Sequence, residues 1–245
     1  MKVPKSHPRY ASLKTREAIV EGVNKGITSM HGLIAHGRGE AFDYLIGEKT
    51  TDAAKKSTDS AAALLLIAKN PVISVNGNAA ALVPKELAEL SKLINAPLEV
   101  NIFHSSKARE IKIKNHLIKN MAKQVLLPDK KFKIKFLESN RKYVNQIGIL
   151  KADVVFVPLE DGDRAEASIK NGKKVITIDL NPLSRTAQKS TITIVDNITR
   201  AMPLLIRQIK KFKKLKLSKK QLFVIYKHHN NKKRLKLSIR LIKIL

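Results

Sequence analysis

The chain has 245 residues, 43% of them hydrophobic, with a formal net charge of +28. That length supports one large domain, or a domain with an extension. It contains no cysteine, which excludes disulfides, thiolate metal sites and cysteine nucleophiles and suits a reducing cytoplasm.

No apolar secretion signal follows Met1, and no run approaches the roughly 20 apolar residues of a membrane span. A cytoplasmic protein is expected. Residues 4–9 are punctuated by proline, and a helix is predicted over Tyr10–Lys25, with Leu13, Ile19, Val20 and Val23 on or near one face. Arg9 and Arg16, seven residues apart, fall on one side of it. Thr28–Ala35 is apolar and leads into His36-Gly37-Arg38-Gly39-Glu40, ahead of a short helix expected over Ala41–Ile46. A Gly-Arg-Gly turn before a helix N-terminus would leave the guanidinium unobstructed and form an anion cradle. It is not a P-loop, because the Gly-Lys-Ser/Thr ending is missing.

Thr51–Lys69 reads as a strong helix capped by Thr51 or Asp52 and stopped by Pro71. Val72–Val75 is the first clear strand, closed by Asn76-Gly77-Asn78. Ala79–Ile94 follows as a helix with Pro84 in its first turns, then a strand over Leu98–Phe103 and a basic helix over Ser106–Lys123. This alternation predicts parallel strands joined by right-handed crossovers. The Asn76–Asn78 turn would lie at a strand's carboxyl end, where ligands bind in open α/β sheets. No G-x-G-x-x-G fingerprint occurs, which argues against an ordinary NAD site.

Gln124–Lys151 shows no clear periodicity and is expected to be an irregular surface excursion. Ala152–Val157 resumes the sheet. The acidic stretch Glu160-Asp161-Gly162-Asp163-Arg164-Ala165-Glu166 could hold Mg2+ through carboxylates and waters, receive a substrate ammonium, or simply cap a helix over Asp163–Lys170.

Two strands, Val175–Ile178 and Thr191–Val195, each end in Asp and Asn residues. Between them lie Asp179-Leu180-Asn181-Pro182 and Ser184-Arg185-Thr186. An arginine fork there suits phosphate, and the amides and carboxylates suit ribose or base edges. The same residues are also common turn caps. A helix over Ile198–Leu215 would be capped by Asn197.

From Arg207 to Leu245 there are 15 Lys/Arg and no acid, whereas aromatics are only 4% of the chain. Nucleic-acid binding by this basic tail is the competing reading of the whole protein, although little is present for base stacking. The segment 215–245 is expected to be a poorly ordered or amphipathic extension of a domain spanning 1–214, whose helical N-terminal part covers about 1–69. No nucleophile elbow, H-E-x-x-H or EF-hand loop is present, and His228-His229 lies away from any acid.

Several stretches resemble one family: P-x-S-H-P-R-Y-x-S-L-x-x-R-E (Pro4–Glu17), G-L-I-A-H-G-R-G-E-A-F-D-Y-L-I-G-E-K-T (Gly32–Thr50), P-V-I-S-V-N-G-N (Pro71–Asn78), K-A-D-V-V-F-V-P-L-E-D-G-D-R-A-E (Lys151–Glu166), I-D-L-N-P-L-S-R-T-A (Ile178–Ala187) and T-I-T-I-V-D-N-I (Thr191–Ile198). The family is the archaeal 4-phosphopantoate–β-alanine ligase, or phosphopantothenate synthetase. The similarity runs from about Pro4 to Ile209, is looser over Lys107–Asn145, and has no counterpart beyond about Lys214.

The resemblance implies a Rossmann-like, largely parallel sheet flanked by helices, with an N-terminal helical segment and a basic C-terminal extension. It implies a homodimer that joins 4-phosphopantoate to β-alanine in coenzyme A synthesis, with ATP as cosubstrate, giving AMP and diphosphate. Mg2+ is expected with the ATP. The nucleotide positions would be Arg16, Arg38, Asp179, Leu180, Asn181, Arg185, Thr186, Asn197 and Ile198. Candidates for the other substrates or for catalysis are His36, Asn76, Asn78, Asn101, Asp161, Asp163 and Arg164, with Glu160 in the same loop. No membrane partner is expected, and nucleic acid only through non-specific contacts of the tail. A related ligase using another acid or amine would share these features. Removal of the tail beyond about Lys214 is expected to leave ligase activity largely intact.

Overall fold

A computed structural model describes residues 4–159 and 161–242. Three helices come first: α1 (Tyr10–Asn24), α2 (Met30–Leu45) and α3 (Asp52–Ile67). Then follow β1 (Pro71–Val75), α4 (Gly77–Leu82), α5 (Pro84–Ile94), β2 (Leu98–Val100), α6 (Lys107–Lys119) and β3 (Val125–Leu126). A hairpin of β4 (Asp129–Lys133) and β5 (Tyr143–Val144) precedes β6 (Val154–Pro158), α7 (Gly162–Lys170), β7 (Lys174–Ile178), α8 (Arg185–Lys189) and β8 (Ile192–Ile194). The described part closes with α9 (Ile198–Lys214), α10 (Lys219–Lys227) and α11 (Asn231–Ile242).

Six parallel strands form the main sheet in the order β3-β2-β1-β6-β7-β8. β1 and β6 are buried along their whole length, which is why they read as continuous apolar runs rather than alternating ones. The chain winds outward in both directions from the middle, so the order reverses between β1 and β6. In such sheets a crevice opens beyond the carboxyl ends of the strands at this switch point.

Three expectations need correction. Gly37-Arg38-Gly39 is not a turn ahead of a helix; it lies inside α2, which runs unbroken from Met30 to Leu45. Each glycine costs that helix about 1 kcal/mol relative to alanine, and tertiary contacts outweigh the cost. The helix expected over Ala79–Ile94 breaks at Val83 (φ −137°), because Pro84 pushes its predecessor out of the helical region.

The stretch 124–151 is not merely a surface excursion. Val125–Leu126 adds the sheet's edge strand, and the wide turn over Gln146–Leu150 is tied to the interior. Its tie is Glu99 on β2, whose fully buried carboxylate accepts from Asn145 N–H (2.9 Å) and Ile149 N–H (2.6 Å).

The basic segment after Lys214 is helical through Ile242 and packs on α3 and β8, burying Leu222 and Leu235. Asn231 donates to Ala187 O (2.9 Å) and Ser190 O (3.1 Å) and accepts from Thr193 N–H (2.8 Å). It thereby satisfies a backbone group of β8, an edge strand.

Candidate functional site

A cleft of about 390 Å³ opens beyond the carboxyl ends of β6, β7 and β8. Arg38, Asp179, Leu180, Asn181, Arg185, Thr186, Asn197 and Ile198 all line it, with His36, Asn78 and Asp161. The loop after β7 is folded by its own polar side chains. The Asp179 carboxylate accepts from Asn181 N–H (2.9 Å) and from the Ser184 hydroxyl, and Asn181 Oδ1 accepts from Leu183 N–H (2.9 Å). Ser184 also caps α8, accepting from Ala187 N–H at 2.9 Å, which places Arg185 and Thr186 in its first turn. Burial pushes the Asp179 pKa up, against the Ser184 and Asn181 hydrogen bonds and the nearby Arg38 charge.

Arg185 bridges to α7, pairing with Asp163 and donating to Glu166 over 2.6 Å. That hydrogen bond, with one from Lys170, holds the Glu166 pKa down at about 2. The approach needs a glycine at 162: an added Cβ would lie 2.6 Å from Arg185 Cβ. Asn197 caps α9, its Oδ1 accepting from Thr199 N–H (3.1 Å), while its Nδ2 donates to Asp43 on α2 (2.9 Å). Arg200 pairs with both Asp43 and Asp196, and the Thr50 hydroxyl donates to Asp196 over 2.6 Å. This network fixes α2, which carries His36 and Arg38 to the cleft. Burial lowers the His36 pKa, and its buried Nε2 has no hydrogen-bond partner among the described residues.

A second cavity of about 440 Å³ adjoins the cleft on the β1–β2 side, sharing Ala35, Asn78, Leu159 and Asp161 with it. Asn76 spans the switch point: its Nδ2 donates to Pro158 O (3.1 Å) and Leu159 O (2.7 Å), and its Oδ1 accepts from Ala79 N–H (2.9 Å). Leu159 takes a left-handed conformation (φ 58°), a strain of order 1 kcal/mol that such sites can store. Asn78 donates to Gly32 O (2.9 Å) and accepts from the Thr28 hydroxyl. Arg141, with only 8% of its side chain exposed, pairs with Asp161 at 2.8 Å.

The profile of the phosphopantothenate/pantothenate synthetase family matches residues 53–244. The chain belongs to that family. It is 53% identical over 238 residues to a 4-phosphopantoate–β-alanine ligase of Thermococcus onnurineus, covering 96% of this chain and 90% of the relative. A protein of the same description from Methanosarcina mazei is 48% identical over 235 residues, covering 95% of this chain and 91% of its own length. The family match reaches residue 244, so the segment beyond Lys214 does have a counterpart in the synthetase family, contrary to expectation.

The structure separates the anticipated residues into three groups. Eight of the nine nucleotide positions share the cleft; Arg16 does not. It stands in a neighbouring groove between α1 and α2, paired with Glu40 at 2.7 Å, and Glu40 in turn lines the cleft. Asn76, Asn78, Asp161 and Asp163 line the second cavity. Asn101 and Arg164 line neither cavity. Asn101 is buried and donates to Arg141 O and Tyr143 O, both at 3.2 Å, while Arg164 is 1% exposed and donates to Ser74 of β1 at 2.6 Å. Glu160 lies outside the described residues.

Sequence reasoning missed Arg109, Arg141, His31 and His104 in the second cavity. Arg109 was one cation among many in a basic helix, and Arg141 lay in the aperiodic stretch, so neither carried a signal of its own.

Proposed function

We propose that this protein joins 4-phosphopantoate to β-alanine at the expense of ATP, giving 4′-phosphopantothenate, AMP and diphosphate in coenzyme A synthesis. The observation that carries this reading is the pair of adjoining cavities at the sheet's switch point. One is rimmed by residues suited to a nucleotide, and the other is rich in arginine and histidine. Family membership and the printed descriptions of its relatives support the substrates.

In this reading the nucleotide occupies the cleft. Arg38 and Arg185 neutralise phosphate charge, Asn181 and Asn197 orient the nucleoside, and Asp179 holds the loop that presents them. Arg16 acts from the neighbouring groove through Glu40. A carboxylate oxygen of the acid attacks the α-phosphorus, the bond to the bridging oxygen breaks, and diphosphate leaves. The β-alanine amine then attacks the acyl carbon of the adenylate, loses a proton, and expels AMP. Positioning and charge neutralisation supply most of the rate. His36, whose pKa burial lowers, is placed to take the amine's proton.

Mg2+ carried on ATP phosphates needs only one or two protein carboxylates, and Asp161 and Asp163 stand beside the cleft with exposed side chains. Bound there, it would offset charge on the departing diphosphate.

The protein works as a homodimer in the cytoplasm. Val20 and Tyr44 stand exposed in the groove between α1 and α2, with Ile34 exposed on α2, which suits a subunit contact. No described helix is long and apolar enough to cross a membrane.

The decisive experiment measures AMP formation from ATP and Mg2+ with each other substrate omitted in turn. AMP only when both are present, with stoichiometric phosphopantothenate, is the expected result. AMP without the amine points to another acceptor, and no AMP in any combination overturns the reading.

A further inference from the structure

The segment 141–152 includes β5 and leads to β6, and three buried polar side chains from outside it bind its backbone. Glu99 of β2 accepts from Asn145 N–H (2.9 Å) and Ile149 N–H (2.6 Å). Asn101, two residues along the chain, donates to Arg141 O and Tyr143 O, both at 3.2 Å. Lys173, just before β7, donates to Leu150 O (2.8 Å) and Ala152 O (2.9 Å). None of the three lines either cavity. The Glu99 contact is the closest: an added Cβ at Gly148 would collide with Glu99 Oε2. A buried carboxylate deprived of its donors is costly, so Glu99 and the turn fix each other. The same segment carries Arg141 into the second cavity, where its guanidinium pairs with Asp161 at 2.8 Å and lies over the Phe103 ring.

We propose that Glu99 is a positioning residue for the acid substrate, holding the segment that sets where Arg141 stands in the second cavity. This rests on the ligase reading above, in which the acid lies beside the nucleotide cleft. Glu99 does not line the cavity; it acts through two backbone N–H groups and the chain that runs from Asn145 back to Arg141. An arginine recognises an oxyanion through a rigid fork of donors, so a small shift of its backbone misaligns the pair. Asn101 holds Arg141 and Tyr143 directly, and Glu99 supplies the second anchor, beyond β5. A side chain that merely stabilised the fold would change Tm and leave affinity for the acid alone.

The test compares the wild type with Glu99→Gln and Gly148→Ala, in the full chain and above the Glu99 pKa of about 7. Glutamine sets an amide NH2 against one of the two backbone donors. The alanine methyl displaces the carboxylate while leaving its charge in place. Both variants should raise KM and Kd for 4-phosphopantoate by about tenfold, the worth of one charge-assisted hydrogen bond. KM for ATP and kcat at saturating acid should change little. Native-state hydrogen exchange at the Asn145 and Ile149 amides should quicken in the same variants. Glu99→Gln, which is nearly isosteric, decides the matter should Gly148→Ala fail to fold. Faster exchange with unchanged acid affinity, equal losses toward acid and ATP, or wild-type behaviour throughout overturns the assignment. If the wild type forms no AMP, the ligase reading fails, and calorimetry with 4-phosphopantoate still judges Glu99. Weaker binding in the variants then supports its role, and equal or absent binding overturns it.

Discussion

Asn197 donates its side-chain amide to Asp43 over 2.9 Å, joining the N-terminus of α9 to the last turn of α2. Arg200 completes the contact by pairing with Asp43 and with Asp196 at the end of β8. The cleft's two walls are therefore one electrostatic unit, and Arg38 depends on it for its position.

Replacing Asp43 with alanine leaves Arg200 its second carboxylate but removes a partly buried ion pair and the acceptor for Asn197. A loss of about 2 kcal/mol in urea unfolding is expected, together with a raised KM for ATP. An unchanged midpoint would remove this network from the account of how α2 is held.

Arg38 is exposed at the cleft, so Arg38→Ala should fold normally. Loss of one charge-stabilising donor should cut kcat/KM for ATP by at least about tenfold. Near-normal kinetics would take Arg38 out of the site.

His36 predicts a pH signature. Its pKa lies below the ordinary imidazole value, so the neutral form persists below pH 6.5 in the wild type. His36→Gln should lower kcat at pH 7 by about a hundredfold. The deficit should shrink as rising pH deprotonates β-alanine itself. A ratio constant across pH would argue against a proton-accepting role.

Glu99 predicts a stability profile. Burial raises its pKa from 4.5 to about 7, despite two backbone hydrogen bonds and the charges of Arg164 and Lys173. A carboxyl with a raised folded pKa binds its proton more tightly in the native state. Its contribution is complete below pH 4.5 and is lost as pH rises through about 7. The loss amounts to about 3 kcal/mol. Urea unfolding of Glu99→Gln should lack this part of the slope between those pH values; identical slopes would assign it elsewhere.

Truncation after Lys214 tests the C-terminal helices. Leu222, Leu235 and the Asn231 bonds to β8 would all be lost, so the packing predicts a cost in stability where the sequence alone led us to expect largely intact activity. Exposing the two leucine sites alone costs about 3 kcal/mol or more. A marked drop in Tm, with activity lost alongside it, is expected. A truncated enzyme with wild-type Tm would show that the docked helices contribute nothing.

Outside 124–151 and the segment after Lys214, the amino-acid sequence by itself determined most of the alternation of helices and strands, the parallel sheet, and the polar strand ends from Asp179 to Ile198. Those features follow from local pattern: β-branched runs buried on both faces, caps beside helix starts, and turn residues where strands end. It misplaced Gly37-Arg38-Gly39, because two glycines favour a turn locally while contacts from Asn197 and Arg200 to Asp43 hold the continuous helix. Tertiary structure alone decided that Arg16 stands outside the cleft and Arg164 beneath the sheet. It also decided that Arg109 and Arg141, 32 positions apart, share a cavity. Pairing across such distances depends on which strand ends the crossovers bring together, and no local periodicity encodes that. The same holds for Glu99, whose buried carboxylate orders a stretch that has no pattern of its own.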